Sequence, residues 1–332
     1  MLVSIIIPTK NRCGPLQETL ASVMTQTHAE WEVLVIDDGS TDGTEEMVFG
    51  MMSKDKRIRF SQREKKPSGA AACRNLGVEA CRGEYVIFLD SDDLLAPECL
   101  EGRVKVMQDN PSLDFAVFLT HLFHAKPGDS PYLINNFTQE DDLDRFLRLD
   151  APWQTTGPIW RKTALAKIGP WDEKALSMQD WEFHVRALAT KLNYQKVSEI
   201  DSFWRTTGPD SMTNGASWGS PRRVWNRVRL YGRIIAILRT QGLLTERRRS
   251  LQTAEYYKHA FVINQSRRLA YKIWAMARRE KMIGPFKFTI VLISDLLIRF
   301  ARRFHEFVVT CLLPETRLKR THFVALPSNH HE

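Results

Sequence analysis

Along the first 120 residues, short apolar runs alternate with longer stretches of helical period. Val3–Ile7, Glu32–Ile36, Arg57–Ser61, Tyr85–Leu89 and Asp114–Phe118 read as strands, four of them strongly apolar. Continuous apolar runs suit strands covered on both faces. Helical segments are expected at about 15–26, 43–53, 70–81 and 98–109. Strand–helix alternation of this kind predicts βαβ units and a doubly wound α/β sheet. Residues 150–215 are less regular and contain Trp153, Trp160, Trp171, Trp181 and Trp204, and from about 219 to 313 the pattern is helical and basic.

In an open α/β sheet, ligands meet the carboxyl ends of the strands. Polar clusters follow three of these strands: Pro8-Thr9-Lys10-Asn11-Arg12, Asp37-Asp38-Gly39-Ser40 and Asp90-Ser91-Asp92-Asp93. Three carboxylates within four residues repel one another unless a cation or water relieves them. Hard oxygen ligands suit Mg2+ or Mn2+, ions that commonly bridge to substrate phosphates. The plainer reading is a solvated loop whose Asp92 or Asp93 starts the next helix.

Asp37 or Asp38 could accept hydrogen bonds from a nucleoside; Asp42 and Glu45 read as a capping box. The small-residue segment Gly69–Asn75 opens a helix, and its Arg74 could face a diphosphate or simply lie exposed. Gln179-Asp180-Trp181-Glu182 opens another, with Ser177 and Asp180 in capping spacing; the functional reading makes Asp180 a general base. The His residues show no metal-ligand spacing, and no Ser-His-Asp order, phosphate loop or Gly-x-Gly-x-x-Gly occurs.

Composition adds a setting. At 332 residues and 43% hydrophobic, the chain can bury a sizeable core. Five cysteines (Cys13, Cys73, Cys81, Cys99 and Cys311), with no Cys-x-x-Cys, fit a reducing cytoplasmic environment rather than a disulfide framework or zinc site. Neither a signal peptide nor a transmembrane run is expected. The net charge of +8 is uneven: residues 219–332 hold 23 basic and 7 acidic residues, the rest 24 and 32. The acidic part can hold a cation, and the basic part can meet phosphate.

The ordered segments Ser4–Arg12, Val35–Asp42, Ala72–Gly77 and Phe88–Asp93, followed by Gly169–Glu173 and Gln179–Glu182, resemble glycosyltransferase family 2 over about residues 2–213. The resemblance implies a GT-A fold, a nucleotide-sugar donor with UDP as the prior, and inversion at the anomeric carbon. It implies donor binding by Pro8, Thr9, Asn11, Arg12, Asp38, Arg74, Asp90, Ser91 and Asp92. Metal contact falls to Asp92, supported by Asp90, and the catalytic base is Asp180. Trp153, Gln154 and Trp181 are placed on the acceptor side by position. The family often carries an Arg-x-His element, where Thr207 stands in place of His and leaves the third metal ligand open.

Two regions are therefore expected: a GT-A domain over 1–215 and a basic helical region over 216–332. Between Lys287 and Glu306, the charged residues Asp295, Arg299, Arg302, Arg303 and Glu306 fall within about 100° of a helical wheel, leaving a wide apolar face. Such a helix suits a membrane interface. Arg222, Arg223, Arg247, Arg248, Arg249, Arg267, Arg268, Arg278 and Arg279 could meet anionic lipid, or the helices could pack on the domain or on a second copy in an oligomer. The expectation is a peripheral enzyme at the cytoplasmic membrane face, moving sugar to a glycan or lipid-linked acceptor in surface polysaccharide or glycolipid assembly. No nucleic-acid module is recognised. The alternatives are a nucleotidyltransferase and a catalytically inactive nucleotide-sugar-binding scaffold.

Overall fold

The computed structural model describes residues 1–63, 68–134, 136–206, 220–258, 267–281, 283–286, 289–290 and 324–325. The chain runs β1 (Val3–Thr9), α1 (Cys13–Met24), β2 (Trp31–Asp37), α2 (Thr44–Lys54), β3 (Ile58–Gln62), α3 (Ala70–Ala80), β4 (Tyr85–Phe88), β5 (Leu94–Leu95) and α4 (Cys99–Asp109). It continues through β6 (Phe115–Phe123), β7 (Tyr132–Leu133), α5 (Asp142–Leu147), β8 (Pro158–Arg161), α6 (Lys162–Ile168), α7 (Gln179–Ala189) and β9 (Tyr194–Arg205). Last come α8 (Pro221–Thr240), α9 (Glu246–Lys258), α10 (Arg267–Arg279) and β10 (Val324–Ala325).

The strands form one mixed sheet in the order β10-β7-β6-β8-β4-β1-β2-β3, with β9 pairing to β6 and β5. β1 is central and parallel to both β2 and β4, with Ile6 opposite Leu34 and Phe88. All seven residues of β1 are buried. Its pleat sends Ile5 and Ile7 to the core layer under α1 and α4, and Ile6 to the opposite layer with Phe88, Trp160 and Phe183. Mostly apolar strands, buried along their whole length, are what a sheet covered on both faces produces.

The expected alternation holds through β4 and then changes. β8 inserts antiparallel between β4 and β6, so the strand expected at 114–118 does not continue the parallel series beside β4. β8 starts at Pro158, a place where a missing N–H is tolerated.

α3 lies close against β1. A Cβ on Gly77 would stand 2.3 Å from Ile6 Cγ2, so only glycine lets the helix approach so near. The basic helices pack on the same layer: Val224, Val228, Tyr231, Ile235, Leu251, Ile273 and Trp274 join the cluster that holds Trp160, Trp181 and Phe183. Part of the charge asymmetry is used internally. Arg247 and Arg248 pair with Asp144, Arg248 also with Asp141, and Arg229 and Arg233 with Asp172. No helix among the described residues is long and apolar enough to cross a membrane. The amphipathic stretch expected at 287–306 lies almost wholly outside the described residues, as does Thr207.

Candidate active site

The loops after β1, β2 and β4 meet at one edge of the sheet. Asp38 N–H donates to Thr9 O at 2.9 Å, extending the β1–β2 ladder into the loops. Asn11 N–H donates to Ser40 Oγ, and Thr41 N–H to Asn11 Oδ1, each at 2.8 Å. Asn11 has φ 51 and Gly39 φ 82, so both turns use the left-handed region. The Asp37 carboxylate is spent on its own turn, accepting from the Gly39 and Ser40 amides and the Ser40 hydroxyl. That leaves Asp38, which faces Arg63 at 3.0 Å and Lys10 at 3.9 Å. Pro8 is buried in β1, and Thr9 Oγ1 is buried without a hydrogen-bond partner.

The third loop joins these. Arg12, at the N-terminus of α1, lies 3.7 Å from Asp92. Asp92's carboxyl is raised by burial and then by neighbouring Asp90, with Arg12 opposing. Two adjacent hard carboxylates that repel each other are a donor set a divalent cation relieves. No cluster of three His, Cys, Asp or Glu surrounds them among the described residues.

Asp93 does not start a helix; α4 begins at Cys99. Its buried carboxylate accepts from Thr156 Oγ1 at 3.0 Å and from Arg205 N–H at 3.1 Å. Burial, followed by the Asp92 and Asp90 charges, pushes it well above the ordinary carboxylate range. Arg205 also donates from Nε to Asp92 O at 2.9 Å. Behind them, fully buried Arg103 grips Asp201 at 2.6 and 2.7 Å and donates to Thr156 O at 2.8 Å. Arg63, Thr156 and Arg103 escaped the sequence reading because no local spacing links them to the acidic loops.

Arg74 connects this corner to the start of α7. Only 5% exposed, it donates to Asp90 Oδ1 at 2.6 Å and to Gln179 Oε1 at 3.4 Å, with its guanidinium 4.6 Å from the Trp171 ring centroid. Exposure of Arg74, the plainer expectation, is thus excluded. Asp180 follows Gln179 and keeps slight exposure. Burial raises its carboxyl; the Trp181 amide and the Arg74 charge pull it back, and Asp90 pushes it up. The capping box does not form. Met178, at φ 57, is the N-cap with no side-chain bond, and Ser177 Oγ is buried without a partner. Asp42 likewise caps without Glu45, because Gly43 at φ 82 takes the N-cap and Asp42 binds Thr44 and the Cys13 amide instead.

The acceptor-side expectation changes most. Trp153 and Trp181 are core residues, 3% and 4% exposed. Trp153 packs on Phe146, Phe115 and His184, and Trp181 Nε1 donates to Phe146 O at 2.6 Å. Large rings flanked by apolar neighbours gain more from burial than from exposure. Gln154 is half-buried and bonds Thr120 and the Thr156 amide. A groove of about 820 Å³ between α3, α6 and Trp171 has Glu79, Glu84, Arg161 and Lys162 in its lining but none of Asp38, Asp90, Asp92 or Asp180, so it lies apart from the acidic loops.

The family described as Glycosyl transferase family 2 matches residues 4–162. An uncharacterized glycosyltransferase of Rickettsia felis is 47% identical over 108 residues, 32% of this chain and 17% of that protein. Escherichia coli UDP-Glc:alpha-D-GlcNAc-diphosphoundecaprenol beta-1,3-glucosyltransferase WfgD is 38% identical over 33% of this chain and 42% of its own. The chain thus spans well under two thirds of these relatives. Staphylococcus aureus TarS 1–349 in complex with UDP-GlcNAc shares the fold at TM-score 0.63 and 19% identity, over 96% of this chain and 90% of that one. Mannosyltransferase PcManGT from Pyrobaculum calidifontis, in complex with GDP-Man and Mn2+, has TM-score 0.55 and 15% identity, over 95% and 85%. The fold and the family match agree: residues 4–162 carry a glycosyltransferase family 2 domain, and the chain has a GT-A fold.

Proposed function

We propose that this protein is an inverting, metal-dependent glycosyltransferase that moves a sugar from a UDP-sugar to an acceptor hydroxyl. The carrying observation is the junction at Arg74, which touches Asp90 on the donor corner and Gln179 beside Asp180. Its guanidinium joins an acidic corner to a candidate base near the strand ends. The UDP-GlcNAc complex of TarS and the UDP-Glc named for the E. coli relative support a UDP-sugar donor.

In this reading Thr9, Asn11, Arg12 and Asp38 hold the nucleoside, with Pro8 shaping the loop. Asp92 and Asp90, flanking Ser91, hold Mg2+ or Mn2+, which when bound supplies positive charge beside the diphosphate. Arg74 adds charge to the same side. Asp180 takes the proton of the acceptor hydroxyl as its oxygen bonds to the anomeric carbon, and the bond to the diphosphate oxygen breaks on the opposite face. One displacement on opposite faces inverts the configuration. A raised carboxyl pKa suits a base that must hold the proton it takes. The named E. coli relative also supports a lipid-linked or glycan acceptor, which a peripheral site at the inner membrane face would serve.

A panel of UDP-GlcNAc, UDP-glucose and GDP-mannose, assayed for nucleoside diphosphate release with lipid-linked acceptors, tests the proposal. Release from one UDP-sugar, abolished by EDTA and restored by Mn2+ or Mg2+, is expected. Undiminished release in EDTA would overturn metal dependence, and inertness of every donor would overturn the activity.

A further inference from the structure

The segment that leads into Asp180 is held from outside the GT-A domain. Residues 170–178 form an irregular run that ends on Met178 in the left-handed region. From α7 itself, Arg186 donates to the carbonyls of Ile168, Gly169 and Pro170 and pairs with Glu182. The later half of the run depends on α8. Asn226 Oδ1 accepts from Leu176 N–H at 2.8 Å, and its Nδ2 donates to Lys174 O at 2.7 Å. One side-chain amide therefore closes both sides of a two-residue gap, as a neighbouring strand would. Arg229 and Arg233 each reach Asp172 at 2.9 Å, as close ion pairs rather than well-aimed hydrogen bonds for Arg229. Arg233 also meets Glu182 Oε1 at 3.2 Å, inside the first turn of α7. Tyr231 completes the contact: its ring meets Trp181 edge-on at 5.2 Å, and its hydroxyl faces Met178 Sδ at 3.8 Å.

A left-handed non-glycine cap is strained and persists only where its surroundings over-determine it. Here the over-determination comes from α8, on both sides of Met178. A general base loses effect when its geometry shifts, even by a change far from the chemistry. We propose that α8 is a positioning element of the active site, with Asn226 and Arg233 fixing the 172–178 segment so that the Asp180 carboxylate is held against the crevice. This rests on Asp180 being the base. The basic helical region is then part of the catalytic apparatus, whatever membrane contact it also makes.

The charged groups acting on Asp180 are Arg74 from α3 and Asp90 from the end of β4; the α8 arginines act on its neighbours, Asp172 and Glu182. Loosening α8 therefore hydrates Asp180 without removing a charge from its side. The test uses the full chain with Asn226→Ala and Arg233→Met, and Arg233→Lys as the conservative variant. Asn226 and Arg233 keep partial exposure, so their replacement opens no cavity; near-ultraviolet circular dichroism checks the fold.

The Asp180 carboxyl is titrated by carbon-13 NMR against Asp180→Asn, a readout that needs no substrate. Its pKa is expected to fall by ~0.5 or more on the pH scale in Asn226→Ala and Arg233→Met as burial lessens, and to be largely restored in Arg233→Lys. With the active UDP-sugar, kcat is expected to drop about 10-fold or more with donor KM unchanged, and the acid limb of kcat to follow the same shift. An unmoved Asp180 pKa in both Asn226→Ala and Arg233→Met overturns the proposal. If those variants shift as expected while Asp180→Asn retains full turnover, the base assignment fails instead. Should Arg233→Met not fold, Asn226→Ala and Arg233→Lys still decide it.

Discussion

Replacing Gly77 with alanine sets two effects of opposite sign against each other. Alanine is the better helix former by about 1 kcal/mol, and Gly77 sits inside α3, where that gain applies. Its Cβ, however, would lie 2.3 Å from Ile6 Cγ2, with two further Ile6 carbons at 3.1 and 3.2 Å. Carbon atoms rest at about 3.5–4.0 Å, so helix and strand must part by roughly 1 Å. Ile6 cannot give way: it is fully buried, in a central strand paired to β2 and β4. Overpacking of a filled core costs about 1–3 kcal/mol, and the rigid setting places Gly77→Ala toward the upper end. The net expectation is a loss of about 1–2 kcal/mol after the helix gain. Urea unfolding at 25 °C, with Ile6→Ala and the double variant completing a cycle, measures it. Ile6→Ala alone should cost about 2–5 kcal/mol, and at least about 1 kcal/mol less when Gly77 is already alanine, because the clash goes with it. If Gly77→Ala raised stability by the helix gain alone, or the two changes simply added, α3 would not be seated on β1 as described. Arg74 lies one turn earlier on the same helix, so the variant should also weaken its 2.6 Å contact with Asp90.

Asp180→Asn should lower kcat by about 100-fold or more while isothermal titration shows UDP-sugar affinity retained or modestly raised, since the neutral side chain no longer competes for Arg74. The same change should stabilise the fold at neutral pH: a carboxyl raised on folding contributes stability while protonated, at low pH, and loses it as pH rises. The melting-temperature advantage of Asp180→Asn should therefore vanish on acidification. His184, stacked on Trp160 and buried, is lowered to about 3. Its neutral form supports the fold above pH 6.5, and that support drains away as pH falls toward 3. His184→Phe should gain about 2 kcal/mol relative to the parent between pH 7 and pH 5 in urea titrations; an equal effect at both would contradict a neutral buried imidazole. Arg103→Ala should cost about 3–5 kcal/mol in the same assay, because Asp201 is left charged and unpaired.

The fold was readable where local pattern and tertiary burial coincide. β1, β2 and β4 are buried throughout and mostly apolar because both faces are covered, and the polar residues after them mark the strand ends. The turn at β8 was not readable. Pro158–Arg161 is four residues long, and its antiparallel insertion is decided by contacts from two other strands. Side-chain roles divided along the same line. Asp90, Asp92 and Arg74 stand next to recognisable elements. The caps failed because Gly43 and Met178 take left-handed conformations that displace the expected Asp42 and Ser177 bonds. Trp153 and Trp181 lie in a packed layer that the irregular sequence around them hid.

Arg74 has one guanidinium and two clients, Asp90 by contact and Asp180 by field. An anion delivered to the Asp90 corner competes for that guanidinium, and Asp180 then holds its proton more tightly. Reciprocity follows without further assumption: whatever factor the anion adds to the proton affinity of Asp180, protonation of Asp180 adds to the affinity for the anion. Under the proposed donor assignment, anion binding and proton uptake at this corner are two readings of one coupling free energy, which contributes to the pH dependence of donor affinity.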